Sequence, residues 1–301
     1  MKFKRVAATA SLALLLAAPA FAAEPKITRN VTYTRRGSAR QRLDVYAPTV
    51  APKGAGRPAV LVIHGGGFVG GVREQMAALG RELAARGLVA FNIDYRLGPR
   101  STFPAGIEDV RCALRFIGAH AREYGADPTR IGVTGESAGG YLSAMAAYPA
   151  PGDFPDPTCA TPGPVPPVRA AALYYGVYDL ERSYYLPFPA IHQMYWMALW
   201  TAPTKDPARY AQFAVEPVVE RQVRSGATLP PTLLLAGDVD PLYPETLLLY
   251  QKLRLLGQDA ELQVYPGAAH GFVLYPKKYP APVSRIRAAE WLAQRLGKSE
   301  E

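Results

Sequence analysis

The sequence predicts an α/β protein whose mostly parallel central sheet is covered by helices on both faces. Short apolar runs alternate with longer segments in which apolar residues recur at helical spacing. Several of the short runs are continuously apolar, which is typical of strands buried on both faces of a parallel sheet. The 301 residues are enough to bury a large core.

Two antiparallel strands are expected first, and an alternation of strands and helices after them. The early pair is "NVTYT" and "RLDVYAP", joined by the charged "RRGSARQ". Gly87 and Gly125 are expected to end the first two helices, because glycine is favoured directly after a helix. The later elements are strand "PAVLVIH", helix "REQMAALGRELAARG", strand "LVAFNIDY", helix "AGIEDVRCALRFIGAHAREYG", strand "RIGVTG", helix "AGGYLSAMAAY", strand "VRAAALYYGV", strand "PTLLLAG", helix "PETLLLYQKLRLLG", strand "AELQVYPG" and helix "VSRIRAAEWLAQRLG".

The N-terminal 22 residues have the pattern of a signal peptide. Lys2, Lys4 and Arg5 precede the apolar "VAATASLALLLAA", which is too short to span a bilayer, and Ala20-Phe21-Ala22 is a small-x-small cleavage pattern. We expect cleavage after Ala22 and export to the periplasm or the medium. Residues 23–301 would then form one domain without membrane insertion.

Charge and cysteine content narrow the class of protein further. The formal net charge is +9, but the basic residues are scattered, so no nucleic-acid partner is expected. Cys112 and Cys159 are the only cysteines, and an oxidising compartment would allow them to pair. The sequence equally allows two buried free thiols, and it leaves the oligomeric state open.

Two segments interrupt the alternation of strands and helices. Residues 149–167 are rich in proline, and residues 181–213 are rich in aromatic side chains within a predicted cap insertion at about 181–229. Insertions of this kind usually lie over the carboxyl ends of the strands, where α/β proteins bind ligands. The aromatic residues are Tyr184, Tyr185, Phe188, Tyr195, Trp196, Trp200, Tyr210 and Phe213. We expect most of them to pack the insertion onto the body and some to narrow a pocket beneath it.

The segment "GVTGESAGG" contains a G-x-S-x-G motif centred on Ser137. It lies directly after a predicted strand and before a helix of small residues, which is the context a nucleophilic serine requires. The turn is so sharp that side chains at its flanks would collide, which explains Gly135 and Gly139. Ser137 is therefore the candidate nucleophile.

A serine hydroxyl needs a general base, and the chain offers four histidines. In this topology the base follows the serine in the chain, which leaves His192 and His270. His270 comes after a strand, in the small-residue loop "GAAHGF", where it can reach the serine. His270 is the predicted base, and His120 and His192 are predicted to be structural or pocket residues.

The base in turn needs a carboxylate that holds its tautomer and stabilises the imidazolium. Asp238 and Asp240 follow the strand "PTLLLAG" and precede His270. Asp240 lies outside the strand and before Pro241, one step from a helix, so it is the favoured acid. Asp238 follows Gly237 and remains the alternative acid. If it is not the acid, it could cap the loop instead.

Five glycines between Gly65 and Gly71 follow the strand "PAVLVIH". Acyl transfer develops an oxyanion, and backbone amides can stabilise it only where no Cβ obstructs them. The amides of Gly66 and Gly67, together with that of Ala138, are the predicted donors, and His64 is expected to brace the loop. A phosphate-binding loop is not favoured, because the chain has neither G-K-S/T nor a helix-opening G-x-G-x-x-G.

These motifs resemble those of the α/β-hydrolase superfamily, specifically its hormone-sensitive-lipase-like and feruloyl-esterase-like esterases. The segments "HGGGF", "DYRLGP", "FPAGIEDV", "GESAGG", "DPLYPE" and "HGF" occur in the family's order, over about residues 40–296. The resemblance implies an α/β-hydrolase fold with a catalytic triad of Ser137, Asp240 and His270. It also implies an oxyanion hole of Gly66, Gly67 and Ala138, and a structural role for Asp94-Tyr95-Arg96.

The chain departs from that family at two points. Few residues separate the predicted signal peptide from the first strand, so we expect the helical N-terminal cap of hormone-sensitive-lipase-like enzymes to be mostly absent. Glu136 stands where that group usually has aspartate, a form similar to that of the larger type-B carboxylesterases.

The sequence therefore predicts an exported serine ester hydrolase that acts on a small-molecule ester without cofactor or metal. Acyl transfer and amide or formamide hydrolysis would use the same triad and remain alternatives. A non-catalytic small-molecule receptor on the same fold is a further alternative. The aromatic insertion favours short acyl groups, acetyl to butyryl, or compact aryl acyl groups.

Overall fold

The computed structural model describes residues 23–34, 41–51, 54, 56–150, 152–156, 158–187 and 189–297, and the predicted signal peptide and Phe188 lie outside them. Among the described residues, eight strands form one sheet in the order β1-β2-β4-β3-β5-β6-β7-β8. β1 pairs with β2 and β2 with β4 in antiparallel fashion, whereas all the other pairings are parallel. The strands are β1 Lys26–Thr32, β2 Arg42–Ala47, β3 Arg57–Ile63, β4 Val89–Ile93, β5 Ala126–Glu136, β6 Val168–Tyr174, β7 Thr232–Gly237 and β8 Ala260–Tyr265.

Helices cover both faces of the sheet, as predicted. They are α1 Ala77–Ala85, α2 Ala105–His120, α3 Ala138–Ala147, α4 Leu180–Tyr184, α5 Pro189–Leu199, α6 Pro207–Gln212, α7 Val215–Arg224, α8 Tyr243–Leu255 and α9 Ala281–Gly297. Short 3₁₀ helices lie at Arg73–Met76, Ala121–Tyr124 and Phe272–Leu274.

The central strand β3 shows why the apolar runs are continuous. Leu61 and Ile63 pack in a core with α2, α3 and α8, whereas Val60 and Val62 pack in a second core with α1 and α9. Successive side chains of a strand point to opposite faces, so a strand covered on both faces has no polar position.

Several predicted boundaries are wrong: β5, for example, begins at Ala126 rather than at Arg130. The first strand begins at Lys26 rather than Asn30, because a register shift between Thr28 and Val31 carries it through a bulge. At that bulge the Asn30 amide donates to Asp44 Oδ1 over 2.9 Å. The helix predicted over residues 73–87 starts as a 3₁₀ turn, in which Arg73 is ion-paired with Asp44 and Asp94.

Cys112 and Cys159 form a disulfide in the structure. Cys112 lies in α2 and is fully buried, and Cys159 lies in the proline-rich segment. The bond therefore fastens that segment to the body of the protein.

The insertion between β6 and β7 contains α4 to α7. Apart from Tyr184, which is partly buried, the described members of the predicted aromatic set divide into two groups. Tyr195, Tyr210 and Phe213 are buried against the body, whereas Tyr185, Trp196 and Trp200 are more than half exposed. Most of the packing to the body is therefore done by the first group, and the tryptophans lie on the outer surface.

Candidate active site

Ser137 occupies the sharp turn between β5 and α3. Its backbone has φ 54° and ψ −119°, a conformation that non-glycine residues rarely adopt. A side chain at Gly139 would overlap the carbonyl oxygen of Ile63, and one at Gly135 would overlap that of Gly139. The glycines thus let β3, β5 and α3 approach closely enough to form the turn.

His270 and Asp240 lie in the loops that follow β8 and β7, at the same edge of the sheet as Ser137. His270 Nε2 is 2.9 Å from Ser137 Oγ, and His270 Nδ1 is 2.9 Å from Asp240 Oδ2. The other carboxylate oxygen of Asp240 accepts the Leu242 amide over 2.7 Å. The three predicted residues form one hydrogen-bonded chain, in which a proton on Nδ1 leaves Nε2 free to accept from the serine.

The other candidate acid and the other histidines lie elsewhere. Asp238 is exposed and accepts the Gly267 amide over 2.7 Å, so it caps the loop that leads to His270. His120 is partly exposed and its Nδ1 lies 2.8 Å from Glu123, while exposed His192 stacks on Tyr184.

The glycine-rich loop lies beside the serine turn and is held from several directions. The Tyr95 hydroxyl donates to the His64 carbonyl over 3.0 Å, and the two rings stack. The Gly66 carbonyl accepts the amides of residues 69 and 70, and Gly66 has φ 107°. Within the part of the chain that the structure describes, the amides of Gly66, Gly67 and Ala138 donate to no acceptor.

Burial and charge act in opposite directions on His270. Burial lowers the pKa of the ring, but the hydrogen bond and charge of Asp240, together with the charge of Glu136, outweigh it. The pKa of His270 therefore lies above its usual value of 6.5. The protonated form is stabilised, as a base that takes a proton from Ser137 requires.

Two neighbours of the site were not predicted. The Met194 side chain occupies the space where a side chain of Gly67 would project, which places α5 against the glycine-rich loop. The Tyr175 ring packs edge-on against His270, with centroids 4.9 Å apart. The sequence position of Tyr175, directly after β6 at the carboxyl edge of the sheet, could have indicated that it lies near the site. Nothing in the sequence around Met194 indicates such a position.

Within the described part of the chain, no group of three potential metal ligands gathers at this site. Among the described residues, one group brings three ligand atoms together, namely Cys112, Asp156 and Cys159, and both of its sulfurs belong to the disulfide. No helix in the described ranges is long and apolar enough to cross a membrane.

Comparisons with known proteins agree with this architecture. A family model described as alpha/beta hydrolase fold matches residues 60–274. Esterase LipI of Mycobacterium tuberculosis is 30% identical over 250 residues, which cover 79% of this chain and 72% of LipI. An acetyl esterase of Salmonella paratyphi B is 27% identical over 244 residues, which cover 78% of this chain and 71% of that protein. The solved structure of a hyperthermophilic esterase from Pyrobaculum calidifontis has a TM-score of 0.68 at 28% identity, covering 91% of this chain and 87% of that chain.

Proposed function

This chain belongs to the α/β-hydrolase fold family and is a carboxylic ester hydrolase, and on that premise we propose that it is an exported serine esterase. The observation that carries the proposal is the hydrogen-bonded chain from Asp240 through His270 to Ser137. Its substrates are esters of short aliphatic or compact aryl acids, and its intermediate is an acyl-enzyme.

In the first half of the reaction, Ser137 Oγ attacks the acyl carbon and His270 Nε2 takes the hydroxyl proton. Asp240 keeps the second ring proton on Nδ1 and stabilises the imidazolium. The same proton passes from Nε2 to the alcohol oxygen as the ester bond breaks. In the second half, His270 takes a proton from water, the hydroxide attacks the acyl-enzyme, and the acid leaves as Ser137 regains its proton.

The amides of Gly66, Gly67 and Ala138 are the donors for the oxyanion that forms at each attack. None of these three amides donates a hydrogen bond to another acceptor among the described residues, which supports this role. An amide that was already hydrogen-bonded would have to exchange partners during the reaction. A positive φ at Gly66 lets the loop present successive amides without a side chain between them.

The preference for short acyl groups rests on the insertion. Met194 lies against Gly67, so α5 stands over the loop that would bind the acyl carbonyl. A helix at that position leaves little room for a long chain. The name of the Salmonella relative, acetyl esterase, agrees with this preference.

Export is supported by two features. The N-terminal sequence has the signal-peptide pattern with expected cleavage after Ala22, outside the described residues. The disulfide between Cys112 and Cys159 is of a kind that persists in oxidising compartments such as the periplasm.

A fluorophosphonate probe tests the proposal directly, because it reacts with an activated serine. Wild-type protein should be labelled, and peptide mapping should find the label on Ser137. Ser137→Ala should be unlabelled, and the matched control Ser225→Ala, at the end of the insertion, should be labelled like wild type. Absence of labelling in the wild type would favour a receptor, and a label on another residue would refute the assignment of the nucleophile.

A further inference from the structure

Glu136 is a buried acid that the proposed mechanism does not use. It ends β5, directly before Ser137, and is only 3% exposed. Its Oε1 accepts the Gly65 amide over 2.6 Å, and a side chain at Gly65 would overlap the carboxylate. Glu136 therefore connects the strand that carries the nucleophile to the loop that carries two of the oxyanion donors.

The ionisable groups around Glu136 come from four elements of the sheet edge. Burial raises the pKa of Glu136, His270 and the Gly65 amide lower it, and Asp240 raises it. Burial also raises the pKa values of Tyr95 and Tyr175, and the charge of Glu136 adds to both effects. Of these neighbours, His270 is the group that gains positive charge during catalysis.

We propose that Glu136 is a positioning residue for both the oxyanion loop and His270, an inference that rests on the proposed function. Its hydrogen bond to Gly65 fixes the loop that presents Gly66 and Gly67. Glu136 directly precedes Ser137, whose Oγ lies 2.9 Å from His270 Nε2, so its negative charge stabilises the ring of His270 when that ring is protonated, in addition to the charge of Asp240.

The two effects coincide in the same step of the reaction. As Ser137 attacks, His270 becomes positive and the acyl oxygen becomes negative. An amide misplaced by a shift of the loop would no longer meet the oxyanion, since such donors act only when they are already in position. Through its hydrogen bond to the Gly65 amide and its negative charge, the Glu136 side chain can therefore influence both developing charges.

Two substitutions separate the roles. Glu136→Gln keeps an oxygen acceptor for the Gly65 amide but removes the charge, whereas Glu136→Ala removes both. Asp127→Asn is the matched control, because Asp127 is also a buried carboxylate that accepts a backbone amide, but it lies at the opposite end of β5. kcat and KM for p-nitrophenyl acetate should be measured across pH, along with Tm.

For Glu136→Gln, the acid limb of kcat/KM should move to lower pH by about half a unit, because one cause of the raised His270 pKa is lost. For Glu136→Ala, kcat should fall about tenfold to a hundredfold with little change in KM. Asp127→Asn should change Tm alone.

An unmoved acid limb in Glu136→Gln, or a loss confined to Tm in Glu136→Ala, would overturn the inference. Ser137→Ala is measured in parallel to keep the two proposals apart. If wild type hydrolyses no ester, or if Ser137→Ala keeps turnover, the proposed function fails. If Ser137→Ala alone is inactive and the Glu136 variants behave as wild type, only this inference fails.

Discussion

Asp240 and His270 are 30 residues apart in the chain, yet Oδ2 of the first lies 2.9 Å from Nδ1 of the second. Asp238, two positions earlier, is exposed and bonds the Gly267 amide instead. The two carboxylates thus have separate tasks, one facing the imidazole and the other holding the loop in which the imidazole lies.

Asp240→Asn should therefore lower kcat by about 10⁴-fold, because the amide would favour the wrong tautomer of His270. Asp238→Asn is the matched control and should keep most of the activity, with a lower Tm. The measurement is kcat for p-nitrophenyl acetate. A larger loss in Asp238→Asn than in Asp240→Asn would show that the acid has been misassigned.

The pH profile should report the environment of His270. Since the base must be neutral, kcat/KM should fall as pH decreases through a pKa above 6.5. The raised pKa also stabilises the fold at low pH: this contribution is complete below the unfolded-state value and is lost as pH rises through the folded-state value. If the acid limb of the kcat/KM profile had its midpoint at or below pH 6.5, it would contradict the conclusion that Asp240 and Glu136 outweigh burial in setting the pKa of His270.

Met194 should control acyl length. Met194→Ala should raise kcat/KM for the octanoate ester relative to acetate by roughly tenfold, because the space of the deleted Cγ, Sδ and Cε atoms opens beside Gly67. Gln193→Ala is the control, because its side chain is exposed on the same helix. The measurement is kcat/KM for p-nitrophenyl esters from acetate to laurate. A wild-type maximum at eight or more carbons would show that α5 does not restrict the acyl site.

The disulfide should contribute to stability. Unfolded, unreduced protein should contain no titratable thiol, since both cysteines are paired. Cys112→Ala/Cys159→Ala should lower the free energy of unfolding by roughly 4 kcal/mol, given the sequence separation of 47 residues. Chemical denaturation measures this, with reduced wild type as the control. Two titratable thiols in the unreduced wild type would contradict the pairing.

Much of the fold was predictable because its signals are local. β7 is a short apolar run, β8 alternates apolar and polar residues, and in a parallel sheet the carboxyl ends of such strands share one edge. The loops that carry Asp240 and His270 were therefore expected near Ser137. The bulge in β1 was missed because polar residues interrupt its pattern while Asp44 holds its backbone.

Contacts that depend on tertiary packing were not predictable. The hydrogen bond between Gly65 and Glu136 joins residues 71 positions apart, and nothing local to either residue specifies the partner. The contacts of α5 were not predictable either. Its composition indicated aromatic contacts, but only the folded structure shows that Met194 faces the glycine-rich loop and Trp196 faces solvent.

The backbone of Ser137 implies a trade-off between stability and activity. A non-glycine residue at φ 54° and ψ −119° carries strain of roughly 1–3 kcal/mol, which the surrounding elements must offset. Ser137→Gly would release that strain and should melt at a higher temperature than wild type while having no turnover. Ser137→Thr keeps a hydroxyl but adds a β-branch to the strained position, so it should lose stability as well as activity. Selection for thermostability alone would therefore favour loss of the proposed nucleophile.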